Sequence, residues 1–203
     1  MQAIHNRAES HGPIYGFPEL LPEKRLRELV LFISERCWQE ENFGAVMLRK
    51  ILLQSDIAAF VDHGQSISGA TYIKQPFGPV PAGLQEIENQ MENGAEILKY
   101  KRTDQFGYAH TILLPLRRPH LSSFTGSEID ILCRAIDKFR HYTAGELSRV
   151  SHGVAWHGAE KGAQIPYEGF LLDNPEPTED DEQWALSMVS QYGATWRVPM
   201  KVT

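Results

Sequence analysis

The sequence predicts an α+β domain, mainly helical, with a small antiparallel sheet or hairpin and an element order like that of a winged helix. Three observations predict it. Apolar residues recur at helical spacing in two N-terminal segments, Leu26 to Cys37 and Met47 to Val61. Two strand-like runs, Glu96 to Lys101 and Tyr108 to Leu114, flank a turn at Asp104 to Gly107. Two Thr-x-x-Glu capping boxes, Thr125 to Glu128 and Thr143 to Glu146, open further helices.

The elements follow in order. Residues 1–21 hold His11, Gly12, Pro13, Gly16 and Pro18 and read as an extended lead-in. Pro22 suits a first helical turn, and Leu26, Leu29, Val30, Ile33 and Cys37 carry a helix from about 23 to 40. A second helix, about 45 to 62, is apolar around much of its circumference, the pattern of a helix at the centre of a bundle. Asp56 interrupts that surface; it reads as a partnered or edge acid, with a functional role as the alternative. Thr71, Tyr72 and Ile73 favour a short strand. Pro76, Gly78, Pro79 and Pro81 define a stiff turn, and Pro81 opens a helix with Leu84, Ile87 and Met91 on one face. Asn93 and Gly94 close it before the hairpin. The Thr125 box starts a helix bearing Ile129, Leu132, Cys133, Ile136 and Phe139, and the Thr143 box a short one through Val150. The segment Ser151 to His157 comes next, then an acidic loop and a last helix with Trp184, Ala185, Met188 and Val189. The order helix, helix, strand, helix, strand, strand places the hairpin where a wing would lie. The expected organisation is a lead-in over 1–21, a domain over 22–170, and an acidic loop with a C-terminal helix packing on the domain over 171–203.

Composition excludes several classes. The chain has 203 residues, 42% of them hydrophobic and 23% charged, an ordinary balance for a globular domain. No apolar run approaches the roughly 18–20 residues of a membrane span, and Met1 to Ser10 lacks the apolar stretch of a signal peptide. Cys37 and Cys133 are the only cysteines, and both read as buried thiols of a reducing, cytoplasmic compartment. The formal net charge of −6 is local: residues 173–182, DNPEPTEDDE, hold six acids and no base, which leaves 20 acids against 20 bases elsewhere.

The search for chemistry points away from an enzyme. Phosphate-loop, dinucleotide, nucleophile-elbow and zinc-protease motifs are absent, as is any Cys-x-x-Cys pair, so no catalytic residue, metal or cofactor is expected. His152 and His157 lie five apart beside Trp156, a spacing that does not share a helix face. They read as a structural pair, His152 hydrogen-bonded under Trp156, with a binding surface or a metal or acid–base site as alternatives. Lys99, Lys101, Arg102, Arg117 and Arg118 make the hairpin region basic and are candidate phosphate contacts, interleaved with Tyr100, Phe106 and Tyr108. Against that, the preceding helix carries Glu86, Glu88 and Glu92 and no base. Trp38, Trp156, Trp184 and Trp196 suit core anchors or interfaces, and the tail from Trp196 to Val202 packs on the body or presents a strand to a partner.

Two separated motifs resemble a known family. The stretch LRKILLQSDIAAFVDHGQSISGATYIKQPFGPVP, Leu48 to Pro81, resembles the core of the Panacea domain, also called the SocA-like antitoxin domain. Its aromatic-Gly-Pro-Val turn is Phe77, Gly78, Pro79 and Val80 here, and the later Ser-His-x-x-x-Trp element is Ser151, His152 and Trp156. Between the last two stand Gly153, Val154 and Ala155, where family members often have charged residues. The resemblance spans roughly residues 23–167. It implies a non-enzymatic antitoxin, encoded beside a toxin in bacteria, prophages or mobile elements. Such a protein binds and neutralises its cognate toxin, directly or as an adaptor to a protease or chaperone. The candidate contact residues are then Tyr72, Phe77, Gly78, Pro79, Val80, His152 and Trp156. A winged-helix-like DNA-binding regulator is the alternative.

Overall fold

The computed structural model describes residues 22–104 and 107–173. The lead-in, most of the acidic loop, the last helix and the tail lie outside the described residues. The elements are α1 (Pro22–Cys37), α2 (Ala45–His63), β1 (Tyr72–Gln75), β2 (Gly78–Pro81), α3 (Leu84–Asn93), β3 (Ile97–Thr103), β4 (Ala109–Pro115), α4 (Gly126–Phe139), α5 (Ala144–Val150), α6 (Val154–Gly158), β5 (Gln164–Ile165) and α7 (Tyr167–Phe170). This is the α+β, mainly helical architecture that the periodicity predicts. Among the described residues, no helix is long and apolar enough to cross a membrane.

Helix α2 is the hub, touching α1, α4, α5, α7, β2 and β4. Its all-round apolarity has a direct cause: it feeds two cores. Met47, Leu48, Ile51, Leu52 and Ala59 join the main core with Leu29, Val30 and Ile33 of α1, Leu84 and Met91 of α3, and Leu132 and Ile136 of α4. Leu53, with Ile57 and Phe60 against it, joins a second core with Tyr72, Ile165, Tyr167 and Phe170. Polar groups lock the layers. Arg25 of α1 is buried; its Nε donates to the Ile67 carbonyl at 2.5 Å and its guanidinium pairs with Glu128. Glu128 also completes the capping box of α4 by accepting from the Thr125 amide at 2.7 Å. The Thr143 box opens α5 in the same way.

Three boundaries differ from the sequence reading. Helix α1 ends at Cys37, and Arg102 of the hairpin takes carbonyls of the turn that follows: Trp38 at 3.0 Å, Glu41 at 3.0 Å and Phe43 at 3.2 Å. The proline-rich stretch is not only a turn. Gly78–Pro81 is a strand, paired antiparallel with β1 in register Tyr72↔Pro81 to Gln75↔Gly78. It lies at the edge of the sheet ordered β2-β1-β5, where the absent N–H groups of Pro79 and Pro81 need no further partner. Pro81 therefore ends a strand rather than opening a helix; Ala82 donates to the Thr71 carbonyl at 2.7 Å and Gly83, at φ 75°, turns the chain into α3. The β3–β4 hairpin hydrogen-bonds as its own two-stranded sheet, while β1 is committed to β2 and β5.

Candidate functional site

The two motifs that the sequence separates by some seventy residues meet at the β1–β2 turn. Gln75 pairs with Gly78, so Pro76 and Phe77 form a two-residue loop. Phe77 is 69% exposed, although Gly78 and Pro79 behind it are buried. The loop is held from beneath. The Phe77 carbonyl accepts from Lys50 Nζ at 2.6 Å and from Ser148 Oγ at 3.5 Å. Gly78 is required twice over. Its φ is 105°, and a Cβ there would lie 2.0 Å from Lys50 Nζ and 2.6 Å from Ser151 Oγ. One of those neighbours comes from each motif.

Trp156 clasps the other end of the turn. Its Nε1 donates to the Gln75 carbonyl at 3.0 Å. Lys74 Nζ sits 4.4 Å from the ring centroid and donates to the Ala159 carbonyl at 2.9 Å. His152 is not hydrogen-bonded under Trp156; the two rings stack at 3.8 Å with 7° between their planes. The indole N–H is already engaged by the backbone, so the imidazole takes the face instead. Burial and the nearby Lys50 charge push the His152 pKa below the usual imidazole value. His157 meets Trp156 edge-on at 5.0 Å and is exposed. Among the described residues, no group of three His, Cys, Asp or Glu is placed to hold a metal ion.

Tyr72 does not present a contact surface. It is wholly buried, and its hydroxyl donates to Asp56 Oδ2 at 2.8 Å. Asp56, itself buried, also accepts from the Ser68 amide at 2.8 Å and the Ser68 hydroxyl, while Tyr167 donates to the Ala70 carbonyl at 2.8 Å. Asp56 is thus the partnered acid of the sequence reading, and it ties α2 to β1 and α7. Burial pushes its carboxyl up to about 6. Val80 is half-buried and packs on the main core. Of the proposed contact residues, Phe77 alone is well exposed; His152 and Trp156 are half-buried supports.

Sequence reasoning missed Lys50. It stands among buried positions of α2, is itself 3% exposed, and makes one hydrogen bond among the described residues, to Phe77. Burial, aided by the adjacent Arg49 charge, pulls its ammonium pKa down to about 7. The available signal was its spacing, three residues from both Met47 and Leu53 on the apolar surface of the helix.

The basic hairpin is engaged by the protein itself. Lys99 pairs with Glu92 at 3.0 Å and Asn89 at 2.7 Å. Lys101 donates to Thr111 at 2.6 Å, and Arg102 holds the turn after α1. Arg117 bridges Glu28 at 2.7 Å and Glu96. Arg118 is the exception, 94% exposed and 4.0 Å from Glu35. Four of the five candidate phosphate contacts thus have their donors turned to internal acceptors.

Comparison with family models places residues 48–157 in a match to the description "Antitoxin SocA-like, Panacea domain". The match runs from the first turn of α2 through α6, and so contains Lys50, the β1–β2 turn and the Ser151–Trp156 clasp. Comparison with curated proteins and with solved structures returned no match.

Proposed function

The chain belongs to the SocA-like antitoxin family of Panacea domains, and from that membership we propose that it binds and neutralises a cognate toxin protein, with the β1–β2 turn as a principal contact. The protein acts in the cytoplasm by association, not by catalysis, either masking the toxin or handing it to a protease. One observation carries the reading. The exposed Phe77 ring stands on a turn whose backbone is held by Lys50 and Trp156, one from each family motif, and by Ser148. An aromatic anchor on a preorganised backbone loses little entropy on binding, which is the usual character of an interface hot spot. Nucleic-acid binding is the weaker reading, since Lys99, Lys101, Arg102 and Arg117 already have protein acceptors.

Co-expression with the product of the adjacent gene tests the proposal. The wild-type chain should restore growth and co-purify with that product. Phe77→Ala should weaken the complex by about 2 kcal/mol, roughly thirtyfold in Kd, with an unchanged melting temperature. A neighbour that is harmless alone and forms no complex would overturn the antitoxin reading. Full neutralisation by Phe77→Asp would remove the turn from the interface.

A further inference from the structure

Beside the turn, β1, β2 and the starts of α2 and α3 enclose a cleft of about 340 Å³. Its walls are mostly apolar, from Val46, Ile73, Val80, Leu84 and two prolines, with Gln75 and Gln85 also in the lining and Phe77 at the rim. Among the described residues, its charged lining residues are Arg49 and Lys50, both cations. Their hydrogen-bonding capacity is far from filled. An ammonium has three N–H donors, and Lys50 has one acceptor among the described residues, the neutral Phe77 carbonyl. No described carboxylate pairs with it. Arg49 reaches Glu88 at 3.3 Å through Nη2, but its Nε is buried without a hydrogen-bond partner among the described residues. Glu88 balances Arg49, so the positive charge of Lys50 is left without a counter-ion among the described residues.

We propose that this cleft receives a carboxylate carried by an apolar segment of the protein partner, an Asp or Glu flanked by aliphatic or aromatic residues, held between Arg49 and Lys50. The inference deepens the docking role of the turn and rests on that reading. The two Lys50 donors and the Arg49 Nε that have no acceptor among the described residues are within the number that the lone pairs of one carboxylate can serve. A buried cation lacking a counter-ion gains most from such a partner, because both the charge and the unfilled donors are then satisfied together. The apolar walls match the flanking side chains. A phosphate would bring more charge and more oxygens than these donors serve, into a cleft whose remaining lining is uncharged and mostly apolar, with Gln75 and Gln85 its polar side chains. Arg49, a quarter exposed, forms the outer lip and Lys50 the floor under the turn.

The test uses the full chain and two dye-labelled, end-blocked peptides, Leu-Leu-Asp-Leu-Phe and Leu-Leu-Asn-Leu-Phe, read by fluorescence anisotropy. The Asp peptide should bind at least about tenfold more tightly, as expected of hydrogen bonds to charged donors. Lys50→Met and Arg49→Gln should each abolish that ratio while weak apolar binding persists. Arg49→Gln, at a partly exposed position, serves as the second variant should Lys50→Met disturb folding. Equal affinities, no binding of the Asp peptide, or a ratio that survives both substitutions would overturn the proposal. Inorganic phosphate displacing the Asp peptide at lower concentration than acetate would assign the cleft to a small anion and overturn it equally. Growth rescue beside the adjacent gene separates the two failures. Rescue without peptide discrimination removes the carboxylate site and leaves the docking reading; absence of rescue by the wild-type chain removes the docking reading itself.

Discussion

Replacing Lys50 by Met should stabilise the free protein near neutral pH, and the gain should shrink as pH rises. Lys50 is 3% exposed and its folded-state pKa is about 7, against 10.5 unperturbed. The folded pKa of this base is depressed, so the stability tied to it is present above the unfolded value and lost as pH falls through the folded value. At pH 7 the charging of Lys50 costs the folded state roughly 4 kcal/mol, and at pH 9.5 roughly 1.5 kcal/mol. Loss of the bond to the Phe77 carbonyl subtracts about 1 kcal/mol at every pH. The stability difference between Lys50→Met and wild type should therefore fall by about 3 kcal/mol between pH 7 and pH 9.5. His152, which faces Lys50, has its pKa pushed below the usual imidazole value by burial, away from this window. Urea denaturation of both chains at several pH values measures the difference directly. A difference that does not move with pH would refute the argument that Lys50 sits as a buried cation lacking a counter-ion.

Three further perturbations separate the supports of the site. Gly78→Ala should cost about 3 kcal/mol in urea denaturation, from positive φ plus a clash with Lys50 and Ser151, whereas Gly83→Ala, also at positive φ but in open space, should cost about 1 kcal/mol. Asp56→Ala should cost about 3–5 kcal/mol by stranding the Tyr72 hydroxyl and Ser68 donors. The Asp56 carboxyl is raised to about 6, so its ionisation weakens the fold above that pH and the penalty disappears as pH falls towards 4; Asp56→Asn should flatten that part of the wild-type profile. Arg25→Met should cost about 3–5 kcal/mol by leaving Glu128 buried and unpaired, with Glu128→Gln in the same chain recovering part of the loss.

Elements whose signals are local were legible in the sequence. The apolar periods of α1 and α2 and the boxes at Thr125 and Thr143 need no knowledge of distant residues, and the structure places those elements within a few positions of expectation. The β2 strand was not legible because its prolines are acceptable only at a sheet edge, and edge position is decided by where β5 pairs. The basic hairpin shows the same limit in its charges. The bases are present as read, but their acceptors come from distant chain: Glu28 for Arg117 is 89 residues away, and the Trp38 carbonyl for Arg102 is 64 away. Charge per segment predicts a field only when partners are also local. Lys50 escaped notice for a related reason, since nothing in its own neighbourhood reveals a carbonyl 27 residues on.

The placement of the supports divides the site into two parts with different constraints. Beneath the turn, Lys50 and Ser151 occupy the space that a side chain at Gly78 would need, and Trp156 takes the Gln75 carbonyl. The Asp56–Tyr72 bond then sets how β1 lies on α2. A change in any of these shifts the turn, because interiors at this packing density have two arrangements or one, not a continuum. Above the turn, Phe77 at 69% exposure and Val150 and Val154 at 59% and 64%, on either side of Ser151 and His152 in the chain, touch little of that scaffold. On the proposed docking role of the turn, the outer side chains are therefore free to vary with the partner while the support is held constant. Rigid presentation and adaptable contact are thus carried by different residues, so partner choice in this domain can change through rim positions without a matching loss of stability.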